Sequence, residues 1–234
     1  MALPFFYEEN LSNQSTFILS EDTSRHIIQV LRMQKGERLK MTNGKGQVLT
    51  SQIIYENKKA TEVKVLAAEI YEPPTKKITI AISLVKNNSR LEWFLEKVTE
   101  IGVSEIIPIL CDRTEKQHFR YERMKAILIS AMLQSQQTWL PVLHEPKQFN
   151  HLAIEQFDDQ QKFIAHCEES GQKNNLSTFQ PFDHSTILIG PEGDFSKEEI
   201  ELALQNNFIP VSLGETRLRT ETAGIVAAVL LCQV

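Results

Sequence analysis

Thr186-Ile187-Leu188-Ile189-Gly190-Pro191-Glu192-Gly193-Asp194-Phe195-Ser196-Lys197-Glu198-Glu199 is the stretch from which the fold is read. Thr186 to Ile189 is a short β-branched apolar run of strand length. Gly190 and Gly193 leave bare backbone in the turn that follows, and Pro191 stiffens it. Ser196-x-x-Glu199 is a capping box and predicts a helix to about Gln205. A strand, a tight turn and a capped helix make the repeating unit of a parallel α/β sheet.

The same unit recurs outward from this stretch. Ile78 to Val85 is continuously apolar, as expected of a strand covered on both faces. Ser89-x-x-Glu92 reads as a second capping box, with Leu91, Phe94, Leu95 and Val98 at helical spacing and Gly102 as the stop. Further strands are predicted at Glu105 to Leu110, Lys162 to His166 and Phe208 to Leu213, and helices at Tyr121 to Gln137 and Glu221 to Cys232. The last helix carries Ala223, Gly224, Ala227 and Ala228, small residues that suit an internal core or a subunit interface.

Before Pro73-Pro74 the pattern changes to short strands. Glu37 to Met41 and Gln47 to Tyr55 flank Thr42-Asn43-Gly44-Lys45-Gly46, a hairpin signal. Phe17 to Leu19 and Thr61 to Ile70 add two strands, and Ser24 to Arg32 has the spacing of one short helix. Paired prolines stop both helix and sheet. The chain therefore divides into a small barrel-like β domain at 1–72 and an α/β domain at 73–234.

Composition narrows the class. With 234 residues, 41% hydrophobic and 24% charged, the chain is neither disordered nor fibrous. Its longest apolar run, Ala223 to Cys232, is too short to span a bilayer, and the first residues carry no signal-like leader. Cys111, Cys167 and Cys232 are odd in number and widely spaced, without a Cys-x-x-Cys. The expectation is a reduced cytoplasmic protein with no metal and no membrane partner. The net charge of −5 hides an asymmetry, because 24–64 holds nine basic residues against three acidic ones, a local +6. Arg25, His26, Arg32, Lys35, Lys45, Lys58 and Lys59, with Arg90 beyond them, are candidate RNA contacts. Lysine-rich strand edges that discourage sheet association explain the same charge.

Two loops carry the candidate chemistry. The first is Gly190 to Phe195, at the C-terminal end of a buried strand, where open α/β sheets bind ligands. The second is Leu213-Gly214-Glu215-Thr216-Arg217-Leu218-Arg219-Thr220-Glu221-Thr222-Ala223. Thr220 or Thr222 can cap the helix that follows, and Glu221 suits its positive end. Arginines are disfavoured at that end, which points to a ligand holding them there. An ordinary turn and a well-capped helix with surface arginines are the alternatives.

Gly190-Pro191-Glu192-Gly193, Leu218-Arg219-Thr220-Glu221-Thr222-Ala223 and His26-x-x-x-Val30-Leu31-Arg32 together resemble the SPOUT methyltransferases, and most closely the ribosomal RNA small subunit methyltransferase E family. The likeness runs nearly end to end. It departs at Asp194, where the family usually has a second glycine, at the N-terminal Leu3-Pro4-Phe5-Phe6, and at Leu133-Gln134 and Gln137.

The resemblance implies a PUA-like RNA-binding β-barrel at 1–72 and a SPOUT α/β domain at 73–234 with a trefoil knot at about 162–234. It implies methyl transfer from S-adenosyl-L-methionine to N3 of one uridine in 16S ribosomal RNA of the small ribosomal subunit, by a homodimer. On that carry-over the cofactor is held by His166, Leu188, Ile189, Gly190, Pro191, Glu192, Gly193, Leu213, Gly214, Leu218, Arg219, Thr220, Thr222 and Ala223. The N3 imide proton must leave, so Glu221 is the candidate base and Arg219 the candidate cation for the imide anion, with Glu192 the other acid in reach. A non-catalytic RNA-binding assembly factor on the same fold is the alternative function.

Overall fold

A computed structural model describes residues 3–11, 14–115, 117–155, 161–168, 173–179 and 182–232. The chain falls into two compact units, Met1–Pro73 with Met132–Leu140, and Pro74–Ala131 with Pro141–Val234.

The first unit is a five-stranded sheet. β1 (Phe5–Tyr7) and β2 (Thr16–Ile18) lie at its edges, with β3 (Arg38–Thr42), β4 (Gln47–Tyr55) and β5 (Glu62–Ile70) between them in the order β1-β3-β4-β5-β2. β1 runs parallel to β3 and the other ladders are antiparallel. Between β3 and β4 the Asn43 side chain accepts from the Lys45 and Gln47 amides at 2.8 and 3.3 Å, holding the hairpin that the Asn-Gly pair predicts. Leu39, Met41, Leu49, Ile53 and Val63 bury one face with Phe6, Leu19 and Ile27. Among the described residues β1 and β2 share no ladder, so the sheet's hydrogen bonding is open at that seam.

The short helix starts earlier than its apolar spacing predicts. α1 (Glu21–Arg25) is capped by Ser20, whose hydroxyl accepts from the Thr23 amide at 3.3 Å, and it continues as a π-turn over His26–Val30. The signal was the cap and the acidic first turn, Ser20-Glu21-Asp22, rather than the apolar period.

The second unit is a parallel sheet flanked by helices. Its elements are β6 (Lys77–Ser83), α2 (Asn88–Ile101), β7 (Glu105–Leu110), α3 (Tyr121–Gln134, whose residues from Met132 count with the first unit), β8 (Val142–Leu143), β9 (Lys147–Gln148), α4 (Phe149–Ala153), β10 (Gln161–Ala165), β11 (Asn174–Asn175), β12 (His184–Ile189), α5 (Lys197–Gln205), β13 (Ile209–Ser212) and α6 (Thr220–Cys232). The order is β11-β13-β10-β12-β6-β7-β8, with β9 on β7, and every ladder is parallel. β6 is buried over six of its seven residues, as its unbroken apolar run predicts. Alternation along it serves both faces: Ala81 joins Phe149, Leu152, Phe195, Ile200 and Ala203 from the α4 and α5 side, and Ile82 lies under Gly224 of α6.

One expectation is corrected here and one alternative is resolved. The Ser89-x-x-Glu92 capping box does not form: Asn87 is the cap, accepting from the Ser89 amide, and the Glu92 carboxylate instead takes Arg123 Nη2 at 2.8 Å. The small residues of α6 serve the core of their own chain. A Cβ on Gly224 would sit 2.5 Å from the Phe94 ring, and Ala227 and Ala228 are fully buried. This lets α6 lie close on α2 and gives these small residues the first of the two roles open to them, an internal core. The second capping box does form, with Ser196 and Glu199 exchanging bonds at the start of α5.

Candidate functional site

β12, β10 and β13 are neighbours, and their C-terminal ends lie side by side. The loops leaving them, from Gly190, His166 and Leu213, converge on one cleft. It consists of two adjoining cavities of about 280 and 490 Å³ that share Ala165, Cys167, Arg217, Leu218 and Ala223. Parallel strands point their loops to one edge of the sheet, which is why open α/β sheets bind ligands there.

Hydrogen bonds fix this edge. The Thr220 hydroxyl, 5% exposed, donates to the Gly190 carbonyl at 2.9 Å and ties the start of α6 to the loop after β12. Thr220, one of the two threonines open to a capping role, is thus the first residue of α6 and spends its proton on the neighbouring loop. A Cβ on Gly190 would lie 3.0 Å from the Phe195 ring, so the missing side chain permits the turn to close on Phe195. Arg113 Nη1 donates to the Gly193 and Phe195 carbonyls at 2.8 and 3.3 Å. Behind the loop, the Ser196 hydroxyl donates to Asp112 at 2.7 Å, and the Asp112 amide donates to Glu199 at 2.9 Å. Burial pushes the Glu199 carboxyl above its ordinary pKa, against the hydrogen bonds that stabilise its charge.

Asp194 takes the left-handed conformation, φ 64°. Its amide donates to the Pro191 carbonyl at 2.9 Å, and its carboxylate accepts from the Cys167 and Phe195 amides at 2.8 and 2.9 Å. One aspartate thus closes its own turn and clamps the loop after β10 to the loop after β12.

The expected cofactor residues divide. Ile189, Gly190, Pro191, Glu192, Arg219 and Thr220 line the smaller cavity; His166, Leu213 and Gly214 line the larger; Leu218 and Ala223 line both. Leu188 lies inside β12 in the core, Gly193 faces Arg113, and Thr222 is half-buried, all three outside the lining. Sequence reasoning placed Asp194 in this loop without a role and missed Arg113, Cys167 and Lys173 as parts of this edge. Arg113 and Lys173 lie far in sequence from the carbonyls they hold or sit in a loop without a motif, so no local pattern marks them.

Charge at the cleft is uneven. The Arg217 and Arg219 side chains are exposed there without a hydrogen bond or ion pair among the described residues. Glu192 also lines the wall and accepts from the Lys86 amide at 3.2 Å. Glu221 does not line either cavity. Its side chain is 6% exposed and faces Arg90 Nε at 3.6 Å, and its second oxygen has no partner among the described residues. Helical geometry explains the separation, because successive helix positions point about 100° apart and Thr220 and Ala223 take the cleft side.

Of the other candidate RNA contacts, Arg25 is paired with Glu21 at 2.7 Å, and His26 stands edge-on to Phe6. Arg32, Lys35, Lys45, Lys58 and Lys59 are exposed, Arg32 at φ 55°. Among the described residues no group of three His, Cys, Asp or Glu side chains is placed to hold a metal, and no helix is long and apolar enough to cross a membrane.

Comparison with known proteins fits this geometry. Residues 72–232 match the RNA methyltransferase domain family, and residues 19–66 match the RNA methyltransferase PUA domain. The crystal structure of a "probable rRNA-methyltransferase" from Porphyromonas gingivalis is 40% identical and superposes with a TM-score of 0.90 over 97% of this chain and 95% of that one. A ribosomal RNA small subunit methyltransferase E from Neisseria gonorrhoeae, bound to S-adenosyl methionine, is 28% identical with a TM-score of 0.86 over 97% of this chain and 95% of that one. The Bacillus subtilis ribosomal RNA small subunit methyltransferase E is 27% identical over 94% of this chain and 91% of its own length.

Proposed function

Because the chain belongs to the RNA methyltransferase family, with a PUA domain ahead of its methyltransferase domain, we propose that it methylates N3 of a uridine in 16S ribosomal RNA. It is an S-adenosylmethionine-dependent RNA methyltransferase. The observation that carries the assignment is the cleft at the ends of β12, β10 and β13, with Thr220 joined to Gly190 across it.

The cleft fits this cofactor on its own chemistry. Gly190 and Gly214 bring backbone without side chains to its walls, and the exposed Glu215 and Arg217 set charges of both signs along the larger cavity. Ile189, Gly190, Pro191, Leu213, Gly214, Leu218, Thr220 and Ala223 would hold the cofactor, which supplies an activated methyl group when bound. No nucleophile from the chain is then required, and the protein's work is alignment and proton removal. A uridine N3 proton is too weakly acidic to leave unaided at neutral pH. Glu192, at the wall, is positioned to accept it, and Arg219 to steady the resulting imide anion. Glu221 is better placed to hold Arg90 than to reach substrate.

The exposed basic residues of the first unit, from Arg32 to Lys59, would track RNA phosphates as a PUA-like barrel. In this reading 73–234 is the SPOUT domain, knotted over about 162–234, and the active form is a cytoplasmic homodimer. Light scattering of the purified chain checks the dimer.

The test of function is incubation with small ribosomal subunits and methyl-labelled S-adenosylmethionine, followed by nucleoside mass spectrometry. N3-methyluridine is the expected product. Label on any other nucleoside refutes the site assignment. RNA binding without any transfer would favour an assembly factor over an enzyme.

A further inference from the structure

Val30 and Leu31 are 67% and 45% exposed, at the end of the π-turn that follows α1. Single aliphatic side chains on a surface are ordinary, but an adjacent pair on a fixed turn is not. Ile27 and Met33, on either side of the pair, are buried in the core of the first unit. The Leu31 and Met33 amides donate to the His26 and Ile27 carbonyls, both at 3.0 Å. Beyond the tip, the Gln34 amide donates to Glu37 and the Lys35 amide to Glu56. Arg32 sits at φ 55°, a conformation that disfavours an arginine and persists only where its surroundings impose it. Strained backbone and π-turns concentrate at functional sites.

The surroundings of the tip are basic. Arg32 and Lys35 follow it in the chain, and Lys58 and Lys59 stand on the loop between β4 and β5. That loop is tied to the same segment at two points: Glu56 takes the Lys35 amide, and the Thr61 amide donates to Ser24 Oγ at 3.0 Å. All four cationic side chains are exposed, without an ion pair among the described residues. The nearby acids are engaged: Glu37 and Glu56 hold amides of the turn, and Glu21 and Asp22 face Arg25. An apolar tip beside unpaired cations suits another protein's apolar face poorly, because covering it would strip water from charges left without a counter-charge. It suits RNA with unstacked bases. Phosphates of such a strand meet the cations, and the face of a base covers the aliphatic pair. A duplex keeps its base faces stacked and offers the pair nothing to cover it.

We propose that Val30 and Leu31 form an apolar seat for an unpaired base of the RNA substrate, by which the first unit discriminates unpaired from paired RNA. This rests on the reading of the first unit as the RNA-binding module.

The test uses the full chain with a short single-stranded RNA of mixed sequence and with the same strand annealed to its complement. Fluorescence anisotropy over a salt series gives both affinities. The double variant Val30→Ser, Leu31→Ser should weaken single-strand binding by about tenfold at every salt concentration and leave duplex binding within about twofold. An apolar contact releases no counterions, so the slope of log affinity against log salt should stay as in the wild type. Ile70, 82% exposed on β5, is the control, and Ile70→Ser should change neither affinity. Unchanged single-strand affinity in the double variant, an equal loss for strand and duplex, or the same loss in Ile70→Ser overturns the proposal. Weaker binding to assembled small ribosomal subunits with bare-RNA affinity intact would assign the tip to a ribosomal protein and overturn it as well. If the wild-type chain binds neither RNA, the RNA-binding reading fails and this inference falls with it. Should the double variant not fold, the wild type still decides: the methyl resonances of Val30 and Leu31 must shift on adding the single strand, and unmoved resonances refute the contact.

Discussion

Replacing Thr220 with valine isolates the bond that joins the two motif loops. Valine keeps the branched shape and removes the hydroxyl that donates to the Gly190 carbonyl at 2.9 Å. Both residues are buried, so the carbonyl loses this donor where water does not reach freely. Leaving a buried partner unsatisfied costs about 1–3 kcal/mol, and the added methyl returns about 0.8 kcal/mol of apolar burial. The net expectation is about 1–2 kcal/mol. For a chain of this size that lowers Tm by roughly 2–8 °C. The tether also sets the spacing of Gly190 and Thr220 across the cleft, so S-adenosylhomocysteine affinity should fall by about tenfold. Thr220→Ser keeps the hydroxyl and should retain most of that affinity, which separates the tether from side-chain volume. Differential scanning calorimetry and titration calorimetry make both measurements. A valine variant with Tm within about 1 °C of wild type and affinity within about twofold would refute the view that this bond holds the site together.

Other substitutions probe the remaining assignments. Gly190→Ala should cost about 1–3 kcal/mol in urea denaturation because its Cβ meets the Phe195 ring at 3.0 Å. Gly193→Ala, with its nearest neighbour Arg113 Cδ at 3.4 Å, should cost less than about 0.5 kcal/mol, and equal costs would contradict the loop geometry. Glu192→Gln should slow single-turnover methylation by about 100-fold or more with saturating RNA, whereas Glu221→Gln should leave that rate within about twofold. The reverse pattern would return the base to Glu221. Below pH 6.5 the unfolded chain protonates His166 before the folded one does, so stability should fall as pH drops through and below that value. Urea curves of wild type and His166→Gln should converge on acidification, and parallel curves would show that the folded-state shift is absent.

Much of this was legible locally. Asn43-Gly44 announced the hairpin, Ser196-x-x-Glu199 announced α5, and the unbroken apolar run of β6 announced a doubly covered strand, because each is a signal within ten residues. Failures came where two local signals competed or where the determinant is remote. Asn87 and Ser89 are both good caps, and Arg123, far along the chain, takes the Glu92 carboxylate that the capping box needed. β1 has three residues and pairs in parallel with β3, so nothing in Phe5-Phe6-Tyr7 announces it without its partner. Glu221 sits in the most distinctive motif of the chain, but helical rotation turns it toward Arg90 and away from the cleft.

Asp194, where the resemblance leads one to expect a glycine, takes a backbone conformation that a glycine would also supply. The turn after β12 needs a residue at φ near 64°, which glycine adopts freely and aspartate tolerates better than most side chains. A glycine there would supply the conformation and nothing more. The aspartate offsets its backbone cost with a carboxylate that receives the Phe195 amide beside it and the Cys167 amide from the neighbouring strand's loop. The second bond could not be read from the sequence, because Cys167 and Asp194 are 27 positions apart and meet only when β10 and β12 lie side by side. An aspartate at this position therefore holds a fixed distance between two walls of the cleft, which a glycine could not. His166 immediately precedes the clamped amide, so the same carboxylate that closes the turn also anchors the backbone beside an imidazole without a hydrogen-bond partner among the described residues.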